Sequence, residues 1–483
     1  MMKRFMFNKS ALVFVTGLFL ASSCDITDFG DTNVSPNATS IPITSALLTN
    51  AINGTFNTAT LRDVTAGAYA QYVGETQYTE ASLYTFSNPA WDGQYAGALY
   101  DLQNVINNNT DPATAPVVAV NGSNANQIAV ARIVKAYRFW CLTDDYGDIP
   151  YSGALKGESQ VPYDSQADIY KDLFKELKEA VAQFDGGLAA KGDILYNGNI
   201  AKWKKFANSI RLVMALRVSK ADATLGKAEA ASAIAAGVIE ANADNAVMSW
   251  PGGAFKNTWF NLYDGRKDYA ISDVIVNFMS PLNDPRLLKF GTPNGKGEIV
   301  PMPYGLTRDL AVAYTNSHPD FSFILDAPMR AQNSPQTILS AGQVYLARAE
   351  AAQLGWTAES ASAMYAAGIK ASWQEWGVFD QAKYDAYLQA DGVTLASGDV
   401  PAKIGLQRWL SFYPNGSQGW YEWRRTGYPN LKPTQYATNS SKQIPVRYAY
   451  PATEPNFNGA AYTAAVGRLT GGDTQDAKVW WDK

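Results

Sequence analysis

Tyr78, Tyr84 and Phe86 stand close together in one stretch of the chain, and Trp250, Phe255, Trp259 and Tyr263 in another. Asn257, Asn261, Asp264 and Arg266 flank the second group. Such a mixture suits sugars. Pyranose C–H faces lie against indole and phenol rings, while the hydroxyls need amide, carboxylate and guanidinium partners. Tyr78, Tyr84, Trp250, Phe255, Trp259, Tyr263 and Arg266 are therefore the candidate ligand-binding residues. Taken singly, each ring reads as packing beneath its own loop; taken as a set, at least one of them is expected to touch ligand. Trp91, in Trp91-Asp92-Gly93-Gln94-Tyr95, opens a helix and is expected in the core.

Other constellations carry less chemistry. Asp144, Asp145 and Asp148 have the oxygen ligands a hard cation takes, but lack the glycine and distal glutamate of a calcium loop, and read as the C-terminal turn of a helix. Asn415-Gly416-Ser417-Gln418-Gly419 has Asn415 where a serine-hydrolase elbow needs glycine, and the chain has a single histidine, His318. Glycoside hydrolysis needs two acids at a set separation, and no motif marks such a pair. Trp420, Trp423, Arg424 and Arg425 read as a cation–π and ion-pair staple that docks the tail rather than as a ligand shelf. No catalytic residue, metal ligand or cofactor motif is assigned.

The elements that hold these residues are mainly helical. Apolar residues fall on one face from Gln127 to Leu142. Ile169, Leu173, Leu177, Val181 and Phe184 keep helical spacing over about 165–184. Further helices are expected over about 43–53, 63–72, 91–107, 200–219, 226–240, 338–354 and 359–376. The pairs between 127 and 240, and the pair over 338–376, resemble tetratricopeptide units of irregular spacing. Residues 249–330 are rich in Gly, Pro, Asn and Asp and lose the periodicity, and the stretch from about 411 to the end reads as loop-rich. The expected fold class is mainly α: one domain with a tetratricopeptide-like helical scaffold and long irregular, loop-rich insertions.

The first residues read as an export signal. Lys3, Arg4 and Lys9 precede the apolar run Ala11 to Leu20, about half the length of a membrane-spanning helix, and then Ala21-Ser22-Ser23-Cys24. A cysteine just after small residues points to lipid attachment at Cys24. The expected organisation is a lipoprotein signal peptide over 1–23, a tether over 24–40 and a binding domain over 41–483. Without the signal, 37 Lys and Arg face 44 Asp and Glu. That acidic balance argues against nucleic acid and offers no polybasic patch for anionic lipid, so acyl chains must be the anchor. Cys141, the other cysteine, is expected as a small buried apolar residue.

Several phrases occur in order along the mature chain. They are Asn33-Val34-Ser35-Pro36-Asn37, the run from Leu142 to Ser152, Trp203-Lys204-Lys205-Phe206-Ala207-Asn208-Ser209, and Asp284-Pro285-Arg286-Leu287. Gln407-Arg408-Trp409, Asn415-Gly416, the run from Trp420 to Pro429, and Trp480-Trp481-Asp482 follow. Together with Cys24 they resemble the SusD/RagB family of surface nutrient-binding lipoproteins, in its SusD-like branch. The resemblance implies an outward-facing, lipid-anchored protein of the outer membrane. It would sit as a lid on a SusC-like TonB-dependent transporter and deliver oligosaccharide to it by binding alone. The alternatives are a peptide-binding RagB-like member and, from another class, a surface glycoside hydrolase.

Overall fold

Side-chain caps begin most of the long helices. In this computed structural model, which describes residues 42–57, 61–158 and 160–483, Ser123, Ser165, Asn199, Asp222, Ser340, Ser360, Asp380, Asp399 and Asn415 each accept a backbone N–H from the first turn of the helix they precede. Each such cap is worth about 1 kcal/mol. Ser340 and Gln343 form a reciprocal capping box. The expected signal and tether, with Cys24, lie outside the described residues.

The folded body is Thr44–Lys483. Its first helices are α1 (Thr44–Thr55), α2 (Leu61–Tyr69), α3 (Tyr100–Thr110), α4 (Asn124–Tyr146), α5 (Gln166–Gln183), α6 (Ile200–Arg217) and α7 (Ala223–Ala235). Short α8 (Thr258–Tyr263), α9 (Asp273–Met279) and α10 (Arg308–Ser317) follow, then α11 (Ala341–Gln353), α12 (Ala361–Glu375), α13 (Gln381–Gln389), α14 (Val400–Phe412) and α15 (Gly416–Thr426). α1 packs on α3, α3 on α4, α4 on α5, α5 on α6 and α6 on α7. α6 also touches α11, which packs on α12 and α14; α14 leads to α15, and α15 lies against α2. This stacking of neighbouring helices is the tetratricopeptide-like scaffold.

α5 is amphipathic, with Ile169, Leu173 and Leu177 buried and Lys171, Lys175 and Glu179 outside. α6 is buried nearly all round from Phe206 to Arg217, as a central helix must be. Where α15 meets α2 the backbones touch: a Cβ on Gly416 would fall 2.3 Å from the Gly67 nitrogen. Only hydrogen fits there.

The structure adds elements that the sequence pattern did not resolve. α8, α9 and α10 interrupt the stretch read as irregular, but each has too few turns to show a period. α13 and α14 lie beyond the last helix that the sequence pattern predicts, and α15 lies in the loop-rich stretch. α15 carries charged and aromatic residues on a side that is itself buried. Strands are few. Among the described residues they form three two-stranded antiparallel ribbons: β1 (Val73–Glu75) with β5 (Tyr269–Ile271), β2 (Ile149–Pro150) with β3 (Tyr163–Asp164), and β4 (Ala246–Met248) with β6 (Gln336–Leu339).

The end of the chain is fastened by cations on rings. The Arg424 guanidinium lies 4.1 Å from the Trp420 ring centroid and 4.6 Å from that of Trp481, and donates to the Asp144 carbonyl at 2.7 Å. Trp481 Nε1 donates to Asp144 Oδ1 at 2.7 Å. Tyr170 donates to the same oxygen, and Tyr421 to Asp145 Oδ1, each at 2.5 Å. Asp148 accepts from Gln166 N at 2.8 Å and from Arg468 Nε. The three aspartates thus serve as acceptors that tie α4 to α5 and to the C-terminal region. Burial raises the Asp144 pKa to about 6, against the pull of Arg217, Tyr170, Arg424 and Trp481. Beside them Arg408 and Arg425 clasp Glu422 at 2.7 and 2.5 Å, and both reach Glu350.

Candidate ligand-binding site

The ribbon β1–β5 sets the geometry. Its antiparallel register pairs Val73 with Ile271, Gly74 with Ala270 and Glu75 with Tyr269. Thr76 N continues the ladder to the Asp268 carbonyl at 2.9 Å, and Thr76 Oγ1 bonds the Lys267 carbonyl at 2.7 Å. Carried two residues further, the same register sets Tyr78 opposite Arg266. The Arg266 guanidinium lies 5.2 Å from the Tyr78 ring centroid, and that of Arg308, at the start of α10, 5.3 Å from it. Tyr78 remains 43% exposed. Asp268 braces Arg266 at 2.5 Å and raises its pKa.

The loop after β1 is anchored from beneath. Glu75, buried at the strand end, accepts from both the backbone N and the Oγ of Ser82 at 2.7 Å. Burial raises its pKa to about 7, although the Ser82 bonds pull the other way. Tyr84 is fully buried, takes a left-handed backbone (φ 61°), and packs edge-on against Tyr69 at 6.2 Å. Burial raises its pKa. Phe86 is exposed.

The second group of predicted residues divides. Tyr263, half-buried, packs 5.1 Å from Phe323, and Arg330 lies 5.0 Å from both rings. The Tyr263 hydroxyl accepts from Ile324 N at 3.0 Å and donates to the Tyr269 carbonyl at 3.1 Å. Lys267 lies 5.7 Å from the Phe323 ring. Burial lowers the Arg330 pKa. Trp259, only 2% exposed, lines a separate small cavity of about 130 Å³ with Met329, Trp376 and Tyr413. Trp250 is buried. Phe255 is 63% exposed on a tight turn between Gly252 and itself. The structure therefore joins Tyr78 to Arg266, sets Tyr263 beside the same strand, and separates Trp259 from them.

Arg308, Lys267, Phe323 and Arg330 were not singled out from the sequence. Arg308 enters only because α10 folds back beside the loop, and no local pattern announces that. Phe323 and Arg330 lie in a stretch without periodicity.

The exposed part of this face offers rings and N–H donors. His318 stacks on Tyr314 with centroids 4.1 Å apart, and Ser417 is buried and donates to Asp63 at 2.8 Å. Among the described residues no group of three or more His, Cys, Asp or Glu is placed to hold a metal ion. Among them, too, no helix is long and apolar enough to cross a membrane.

The profile of the SusD-like family described as "Starch-binding associating with outer membrane" matches residues 36–451. The chain belongs to this family. Among solved structures, one described as a chitin-binding protein is 30% identical, with a TM-score of 0.79 over 91% of this chain and 100% of that one. A SusD-like protein of Bacteroidetes AC2a is 25% identical, with a TM-score of 0.74 over 91% of this chain and 99% of that one. A chitin-binding SusD homologue from Flavobacterium johnsoniae, 23% identical, has a TM-score of 0.77 over 91% of this chain and 98% of that one, and shows the shared fold. No curated protein matches the chain.

Proposed function

We propose that this SusD-like chain captures oligosaccharide at the outer face of the outer membrane, anchored by lipid on Cys24, and delivers it to a SusC-like TonB-dependent transporter. It does so by binding, with no bond broken. The observation that carries the reading is the exposed Tyr78 ring flanked by Arg266 and Arg308, within a chain matched to a starch-binding, outer-membrane-associated family. The ring supplies a flat apolar face. The guanidiniums supply fixed N–H donors for hydroxyl oxygens. Of the residues predicted from sequence, Tyr78, Arg266, Phe255 and Tyr263 retain exposed or half-exposed surface, and we place the ligand against Tyr78 and Arg266 first. The 30% identical structure is described as chitin-binding, which favours a glycan over a peptide.

Titration with chitin and starch oligosaccharides beside a peptide pool tests this. Binding of a saccharide that Tyr78→Ala weakens is expected. Binding of peptides alone would move the protein to peptide capture, and shortened saccharide products would make it a hydrolase. For the anchor, Cys24→Ala is expected to shift the protein from the outer-membrane fraction to the soluble one.

A further inference from the structure

A cleft of about 750 Å³ opens between α3, α4, α5 and the loop after β2, and shares no lining residue with the Tyr78 face. Its volume is that of small-molecule sites. One wall is a stripe on α3: Tyr100, Gln103, Asn104 and Asn107, at the spacing that puts all four on one helix face. Asparagine is a poor helix former, and the last turn of α3 holds Asn107-Asn108-Asn109 before Thr110. A helix that keeps amides where Lys, Glu or Ala would be more stable breaks a local rule, as functional surfaces do.

The charged groups in the cleft are largely engaged by the protein itself. Lys135 Nζ donates to Gln103 Oε1 at 3.0 Å, Tyr151 donates to Asp172 Oδ2 at 2.7 Å, and Arg132 holds Glu176 at 2.8 Å. Lys156 stands exposed at the rim. The side-chain amide of Asn104, the Nδ2 of Asn107 and the hydroxyl of Tyr100 bond no described residue and are left for a ligand or water. Phe139 and Tyr151, edge to face at 4.8 Å, make an aromatic floor. Leu155, at the lip, takes a left-handed backbone (φ 65°). Such strain in a residue other than glycine concentrates at binding sites.

We propose that this cleft is a second saccharide site, taking a short neutral oligosaccharide through the α3 amides and the surrounding rings. Uncharged amides that both donate and accept match hydroxyl groups, and they leave no net charge to select an anion. The inference rests on the glycan reading above but on none of its residues.

The test titrates trisaccharides of glucose (α- and β-linked), xylose and N-acetylglucosamine into the Tyr78→Ala protein, with thermal melts confirming each fold. Residual binding is expected. Asn104→Leu or Tyr100→Ala in the same background should weaken it at least tenfold, with Asn104→Gln retaining most of it. Absence of residual binding, while the protein with Tyr78 intact binds, would overturn the second site and leave the first. Residual binding indifferent to the cleft variants would also overturn it. Binding that Tyr78→Ala leaves unchanged and Asn104→Leu abolishes would keep the cleft and remove the Tyr78 face.

Discussion

Glu75 Oε2 and the Ser82 amide and hydroxyl sit 2.7 Å apart, so a buried acid holds the base of the loop that presents Tyr78. Burial lifts the Glu75 pKa from 4.5 to about 7. A folded-state value above the unfolded one means that Glu75 contributes fully below pH 4.5, and that this contribution is lost as the pH rises through 7. The loss amounts to about 3 kcal/mol. Urea denaturation of the native protein and of Glu75→Gln at pH 5 and pH 8 checks this. The variant should be the more stable at pH 8, and parallel profiles would refute the assignment.

Tyr78→Ala should weaken saccharide binding about tenfold, roughly 1.4 kcal/mol, with an unchanged melting temperature, because the ring is surface-exposed. Trp259→Ala should instead destabilise the fold by about 3–5 kcal/mol, because that ring is buried. Calorimetry of both, for ligand and for unfolding, separates contact from support.

Glu422 behaves oppositely to Glu75. Burial opposes its ionisation, but Arg408 and Arg425 outweigh burial and hold its carboxyl well below the usual range. Its contribution is present above pH 4.5 and is lost as the pH falls. Glu422→Gln leaves two buried guanidiniums short of a partner and should cost about 3–5 kcal/mol at pH 7. Denaturant midpoints at pH 7 and pH 3 should show the gap narrowing in acid.

Gly416→Val should fail to fold or lose several kcal/mol, about 3 or more, because the added carbon meets the α2 backbone. Thermal unfolding reads this directly, with Gly459→Ala, whose Cβ would meet nothing within 4 Å, as the control.

Much of the fold was legible because long helices announce themselves. Ile169, Leu173 and Leu177 repeat on the α5 face that is buried. The staple of Trp420 and Arg424 was readable from residue type, since indole and guanidinium attract wherever the chain goes. The candidate site was less so. Tyr78 and Arg266 are both chemically conspicuous, yet their meeting depends on the register of a three-residue ribbon. Tyr84 and Tyr78 look alike in sequence, yet Tyr84, at a left-handed turn, is buried and Tyr78 is left outside. Arg308 reaches the ring through a fold-back no periodicity encodes.

The glycine-to-glycine seam between α2 and α15 joins an early stretch of the chain to a late one. Helices such as α4 and α5 can assemble from neighbours as they are made, but this joint has nothing to close on until residue 416 exists. Its closure is a long-range contact between distant parts of the chain, of the kind that forms slowly. A polypeptide cut short before that point lacks the α15 side of the seam and leaves Gly67 without the backbone it packs on.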